Sequence, residues 1–277
     1  VYTAIKKLKL EEFITADKTF SIDTTVYSET INHSRYVTYK AKDAIVDYFT
    51  EKYGKRPTVS VANPDIYFNL HISHTTCTLS LDSSGAPLFK RGYRVAQTDA
   101  PINEVLAAGL LMLSGWKGQC DFIEPMCGSG TIAIEAAMIA LNMAPGLFRK
   151  EFAFERWEDF DKDMFDDIYN DDSMERDFKH KIYASDVSAK AIGIANANIK
   201  SAGLGRYIET KVMDIADMPA QEKPIHSVFN PPYGERLNDF SIKELYSTIG
   251  TTLKHKFPGS NAWIISSSML GFDNIGL

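Results

Sequence analysis

The stretch Asp121-Phe-Ile-Glu-Pro-Met-Cys-Gly-Ser-Gly-Thr-Ile-Ala-Ile-Glu135 decides how the rest of the chain is read. Phe122 and Ile123 end a short apolar run of the kind that forms a buried strand. Gly128 and Gly130 follow; lacking a Cβ, they let the backbone turn tightly and approach a ligand. Ile132, Ile134, Ala136, Ala137 and Met138 continue as an apolar helix, with Ser129 or Thr131 as its expected cap. A helix N-terminus at the carboxyl end of a strand is where open α/β sheets bind ligands. Glu124, Pro125, Met126, Cys127, Gly128, Gly130 and Thr131 are therefore expected at a ligand site.

Outward from this stretch, strands and helices alternate. Ile182–Asp186 reads as a strand, Ala189–Ile199 as a helix, Tyr207–Val212 as a strand, and Pro224–Phe229 as another. Ile242–Leu253 is a helix and Ala262–Ser266 a strand, while upstream Pro101 opens an Ala-rich core helix over Glu104–Leu113. The alternation predicts a mostly parallel, doubly wound, Rossmann-like α/β sheet.

Three strand ends carry chemistry. Asp186, followed by Val187, stands where an acid binds both hydroxyls of a ribose. Asp214 is placed to accept from an adenine amino group while the Ile215 amide pairs with a ring nitrogen. Asn230-Pro231-Pro232-Tyr233 is the sharpest signal. Two prolines fix the backbone and remove two donors. The Asn230 side-chain oxygen and the Pro231 carbonyl are then free to accept from an exocyclic amine and aim its lone pair. Tyr233 offers an aromatic face to an extruded base. The bland alternatives are helix caps for the acids and a proline-rich turn for the last motif.

The first 88 residues read differently. Thr19–Tyr27, Asp65–Ile72 and Thr76–Leu81 alternate as strands, and Arg35–Tyr53 is a helix ended by Gly54 and Pro57. This predicts a small α/β unit with antiparallel character. His71 and His74 would face opposite sides of a strand, so they read as surface or loop residues and no metal is expected. Lys90-Arg-Gly-Tyr-Arg94 is a basic segment with an aromatic; Lys90, Arg91 and Arg94 are candidates for RNA phosphates, with a plain domain junction as the alternative. Residues 151–181 hold 12 acids against 5 bases among aromatics and read as an amphipathic insertion with a solvated acidic face, or as a lid.

The net charge of −6 does not exclude nucleic acid, because that insertion carries much of the acid and residues 1–100 hold 13 bases against 11 acids. The chain has no apolar run near membrane-spanning length and no signal-peptide pattern. Its three cysteines fit a reducing cytoplasm, which is the expected location.

The glycine loop, Asp186, Asp214 and Asn230-Pro-Pro-Tyr-Gly-Glu-Arg-Leu237 resemble class I S-adenosylmethionine-dependent methyltransferases acting on nucleobase amino groups. Lys90-Arg-Gly-Tyr-Arg94, Ala100-Pro-Ile-Asn-Glu-Val-Leu-Ala-Ala108 and Phe152-Ala-Phe-Glu-Arg-Trp157 are similar to the THUMP-domain guanine-N2 methyltransferases, the RlmL-like enzymes of bacterial 23S ribosomal RNA. The resemblance implies a THUMP RNA-binding domain over residues 1–88 and a methyltransferase domain over 89–277. It implies S-adenosylmethionine as cofactor, ribosomal RNA as partner, and a sheet whose last two strands lie beyond Leu277. A dinucleotide-binding oxidoreductase is the main competitor, since Gly128-x-Gly130-x-x-Ala133 fits that fingerprint. It would need an acid about 20 residues on, and Asp186 comes much later. A DNA adenine methylase shares the amine motif, and a non-catalytic RNA-binding protein would tolerate its decay.

Overall fold

Alternating apolar residues in the first third of the chain build a four-stranded sheet. In the computed structural model, which describes residues 1–31, 33–232, 239–267 and 269–277, this part holds α1 (Tyr2–Ile5), β1 (Thr19–Tyr27), α2 (Ser34–Tyr53), β2 (Thr58–Val59), β3 (Ile66–Ser73) and β4 (Thr76–Leu81). The strand order is β2-β1-β3-β4. β1 runs parallel to β2 and β3, and only β3 and β4 are antiparallel. Ile66, Phe68, Leu70 and Ile72 alternate inward from β3 and share one core with Val37, Ala41, Ala44, Ile45 and Phe49 of α2. Each large aliphatic side chain buried there contributes about 1.5–3 kcal/mol. Gly54, at φ 67°, ends α2 with the left-handed turn that glycine adopts most easily.

The second sheet is wholly parallel, as the alternation predicts. Its elements are α3 (Glu104–Leu113), β5 (Phe122–Glu124), α4 (Thr131–Leu141), then, after a stretch that includes α5 (Lys162–Tyr169), β6 (Ile182–Asp186), α6 (Ala189–Ser201), β7 (Ile208–Val212), β8 (His226–Phe229), α7 (Asp239–Lys256), β9 (Asn261–Ile264) and α8 (Met269–Phe272). The order is β7-β6-β5-β8-β9. The chain moves from β5 to β6 on one side and returns to β8 on the other, so the sheet's direction of winding reverses between β5 and β8. A crevice opens at such a switch point. Only Ile139 of α4 escapes full burial, so this helix is the centre of the core with Trp116, Phe122 and Ile182 around it.

The chain divides into two units, residues 1–88 with 150–168 and residues 89–149 with 169–277. The sequence places 150–168 in the second domain; the structure packs it with the first sheet. Phe154 N–H donates to the Ser83 carbonyl at 3.1 Å, and Arg156 Nη1 to the Pro64 carbonyl at 2.8 Å. Trp157 lies against the first core, and Phe152, Phe154, Phe160 and Phe165 form a ring cluster with centroids 5.3–6.3 Å apart. The physical reason is the aromatics, which need an apolar surface that the local sequence does not supply. α5 itself buries no residue, as a solvated acidic helix should. His71 lies beside the Tyr27 ring and His74 sits in the β3–β4 turn; among the described residues no group of three metal-ligating side chains gathers. None of the described helices is long and apolar enough to cross a membrane.

Candidate active site

The glycine loop is laced to its neighbours by backbone bonds. Cys127 N–H donates to the Ser185 carbonyl of β6 at 2.9 Å, and Gly130 N–H closes on the Cys127 carbonyl at 2.7 Å. Gly128 and Gly130 have φ of 51° and 78°. A Cβ on Gly130 would lie 3.1 Å from the Ala195 Cβ, so α6 packs directly on the loop. Neither Ser129 nor Thr131 caps α4, contrary to expectation. The Ser129 hydroxyl is paired with the Thr98 hydroxyl at 3.0 Å, and Thr131 Oγ1 accepts from Arg94. The buried Glu124 does the capping instead: its Oε2 accepts the Ala133 N–H at 2.8 Å. A carboxylate there meets both an orphan donor and the positive end of the helix dipole. Burial nevertheless drives the Glu124 carboxyl well above the usual carboxylate range, and Asp186 nearby adds to the rise.

A cleft of about 1100 Å³ lies at the carboxyl ends of the strands. Glu124, Pro125, Met126, Cys127, Gly128, Thr131, Asp186, Val187, Asp214, Ile215, Asn230, Pro231 and Pro232 all line it. Gly130 does not; its place is against α6. Asp186 orders the loop as well as facing the cleft, since Oδ2 accepts the Gly128 N–H at 3.0 Å and Oδ1 the Ser188 N–H at 2.9 Å. Asp214 caps the short turn Ile215–Asp217 through the Ala216 N–H. The Cys127 thiol is buried and pushed far up by desolvation, which makes it unreactive. Asn230 Oδ1 is buried and has no hydrogen-bond partner among the described residues. A buried acceptor left so is costly and is seldom kept without a role. Tyr233 lies outside the described residues.

The basic segment divides. Lys90 is exposed, while Arg91 and Arg94 turn inward, so these two are not displayed to phosphates as the sequence reading expected. Arg91 pairs with Glu135 of α4 at 3.3 Å, where Tyr93 Oη also donates at 3.0 Å. Arg94 pairs with Glu104 at 2.8 Å. The cause is two buried acids, and Glu135 inside an otherwise apolar helix was the available signal. Sequence reasoning also missed a wall of the cleft, formed by Thr98 and Ala100–Asn103, and Asn198, whose side chain joins that wall to the loop.

The insertion also removes an argument from spacing. Asp186 comes late in the sequence because residues 150–168 belong to the other unit, yet β6 is the next strand beside β5. Its acid therefore stands where a dinucleotide fold would hold one, and other observations must separate the two readings.

Residues 91–274 match the family described as the RMKL-like methyltransferase domain, and residues 1–82 match the THUMP domain. A protein of Synechocystis sp., provisionally named an RNA methyltransferase, is 36% identical over all of this chain and 73% of its own length. The ribosomal RNA large subunit methyltransferase K/L of Psychromonas ingrahamii is 39% identical over 94% of this chain, which spans only 36% of that protein. Among solved structures, a Listeria monocytogenes protein described by prediction as an N6-adenine-specific DNA methylase superposes with a TM-score of 0.89 at 33% identity, covering 99% of this chain and 73% of its own. SMU.472, solved with bound SAH, superposes with a TM-score of 0.88 at 28% identity over the same shares. With its cleft and its capping acid in place, the chain belongs to the RMKL-like methyltransferase family and carries a THUMP domain on its N-terminal side.

Proposed function

We propose that the chain transfers a methyl group from S-adenosylmethionine to the exocyclic 2-amino group of a guanine in RNA, with 23S ribosomal RNA as the target. The observation that carries this reading is Asn230, which lines the cleft and whose buried Oδ1 meets no hydrogen-bond partner among the described residues. An exocyclic amine has two N–H groups to give. Asn230 Oδ1 takes one, and the backbone after β8, where Pro231 and Pro232 have no N–H, offers carbonyls for the other. Held this way, the nitrogen lone pair is free to attack. The fit to the cofactor rests on the same cleft: it is large against the ~300–1,000 Å³ of ordinary ligand sites, with room for a cofactor and a base together. Asp186 and Asp214 keep acceptor capacity for a ribose and an adenine amine, and Glu124 provides negative charge for a cation. The bound cofactor supplies an electrophilic methyl on a positive sulfur. Transfer would break the methyl–sulfur bond to leave a neutral thioether and would release the amine's proton to solvent, so the task of Asn230 and the backbone after it is positioning rather than strong base catalysis.

RNA is favoured by the THUMP domain and by relatives named for RNA. The second reading, an adenine amino methylase of DNA, is favoured by the name of the Listeria neighbour. Labelled methyl transfer to unmodified ribosomal RNA, transfer RNA and duplex DNA, followed by digestion to nucleosides, separates them. Label in 2-methylguanosine from ribosomal RNA is expected. Label in N6-methyladenine of DNA would overturn the substrate and leave the cofactor.

A further inference from the structure

Asn198 sits on α6 and is 1% exposed. Its amide makes four hydrogen bonds. Oδ1 accepts from the backbone N–H of Val95 at 2.9 Å and of Ala96 at 3.1 Å. Nδ2 donates to the Ala96 carbonyl at 2.9 Å and to the Ser129 carbonyl at 3.0 Å. One amide thus ties three pieces of chain: α6, the strap that begins at Val95, and the glycine loop. A side-chain amide has two donors and two ordinary acceptor sites, so this one is fully used.

The strap needs such a tie. Gln97, Asp99 and Ala100 are exposed, and the segment lies in no helix or strand. It nevertheless forms one wall of the cleft through Thr98 and Ala100–Asn103. Other polar links to the loop are the Thr98–Ser129 hydroxyl pair, with a long 3.3 Å bond from the Thr98 N–H, and Arg94 Nη2, which donates to both the Ile102 carbonyl and Thr131 Oγ1. Ala195, one turn earlier on α6, bears on Gly130. α6 therefore holds the loop by packing at Gly130 and by hydrogen bonding at Ser129, and only the second also reaches the strap.

We infer that Asn198 is a positioning residue for cofactor binding: it holds the Val95–Asn103 strap against the glycine loop and so sets the width of the cleft. The inference rests on the reading that the cleft binds S-adenosylmethionine. With the tie removed, the first part of the strap at Val95 and Ala96 loses its hold and the wall keeps only the Thr98–Ser129 pair and the Arg94 bond to the Ile102 carbonyl, while Glu124 and Asp186 keep their partners. Affinity is then the quantity that suffers, and the chemical step at saturation does not.

The test uses the whole chain carrying Asn198→Ala and Asn198→Asp. Asp keeps an acceptor for the Val95 and Ala96 N–H groups and loses both donors. The first readout, on apo protein, is amide hydrogen exchange. In Asn198→Ala the Val95 and Ala96 amides are expected to exchange at least about tenfold faster, with the amides of α4 unchanged; Asn198→Asp should restore much of the protection. The second is titration calorimetry with S-adenosylhomocysteine, where Asn198→Ala is expected to weaken binding about 10–100-fold and Asp less. The third is kinetics, where KM for S-adenosylmethionine should rise while kcat stays within about threefold. Unchanged exchange at Val95 and Ala96, or unchanged affinity despite faster exchange, overturns the inference. So does loss of protection throughout α4 in both variants, which would assign Asn198 to the fold alone. If the wild-type protein binds neither cofactor form, the reading of the cleft fails, while the exchange result still decides whether Asn198 holds the strap.

Discussion

Two asparagines serve the cleft, and they stand in opposite conditions. Asn198 makes every hydrogen bond its amide can make. Asn230 buries a carbonyl oxygen that makes none among the described residues. Both are short polar side chains beside the same site, so residue type does not separate them. What separates them is the pairing of the polar atoms: bonded to the backbone in one case, buried without a partner among the described residues in the other. A satisfied polar group rigidifies the frame; an unsatisfied one costs free energy until a ligand arrives. The glycine loop and strap are architecture of the first kind, and the end of β8 is a site of the second.

Breaking a satisfied network should have the largest effect. Glu135→Ala removes the partner of Arg91 and Tyr93 in a nearly solvent-free place. It is expected to lower unfolding free energy by about 3–5 kcal/mol, measured from urea midpoints. Removing the unsatisfied group should do the reverse to stability and harm only turnover. Asn230→Ala is expected to cut kcat by about 10²–10³, ~3–4 kcal/mol, with cofactor affinity unchanged and melting temperature equal or higher. Asn230→Asp, which keeps an acceptor, should recover most of the rate. Equal loss of affinity and rate would show that Asn230 is structural after all.

Smaller effects sharpen the comparison. Glu124 serves both sides, capping α4 and facing the cleft. Its carboxyl is held above the usual range by burial, and a positively charged ligand in the cleft would favour the ionised form. Binding of S-adenosylmethionine should therefore strengthen as pH rises through that raised pKa, with proton release visible in calorimetry in buffers of different ionisation enthalpy. Glu124→Gln keeps the cap and loses the charge; it should weaken S-adenosylmethionine by about tenfold, ~1.4 kcal/mol, and the neutral thioether product less. The smallest effect is on stability in mild acid. His226 on β8 is buried against Trp116 and Phe122, and desolvation lowers its pKa below 6.5. Above pH 6.5 both folded and unfolded chains carry it neutral; below, the unfolded chain takes up a proton that the fold resists, so stability falls as pH drops through the folded pKa. His226→Gln should flatten that part of a melting-temperature profile.

The site's strand-end residues were legible because each one closes or directly follows a short strand: Glu124 ends β5, Asp186 ends β6, and Asn230 follows β8. A short apolar run and a polar residue at its end are local properties, and a sequence displays them. The parallel sheet was legible from the alternation of strands and helices. The strap was not, because its hold depends on Asn198, about a hundred residues away, and helical spacing says nothing about a distant loop. Arg91 and Arg94 were misread because a basic run looks the same whether it faces phosphate or a buried acid. The cap of α4 was misassigned because local capping rules consider the residues just before a helix. The donor here, Ala133 N–H, is met by Glu124, on the strand before the loop.

The aromatic run that packs with the first sheet has a consequence for how this protein can be taken apart. The N-terminal unit is encoded in two pieces, 1–88 and 150–168, with sixty-odd residues of the other unit written between them. Cutting after Leu88 would leave the first core without Trp157 and the Ser83 and Pro64 carbonyls without their donors. Exchange of this module between relatives by recombination must therefore move both pieces together, and a gene fusion that carries only the first would inherit an uncovered apolar surface.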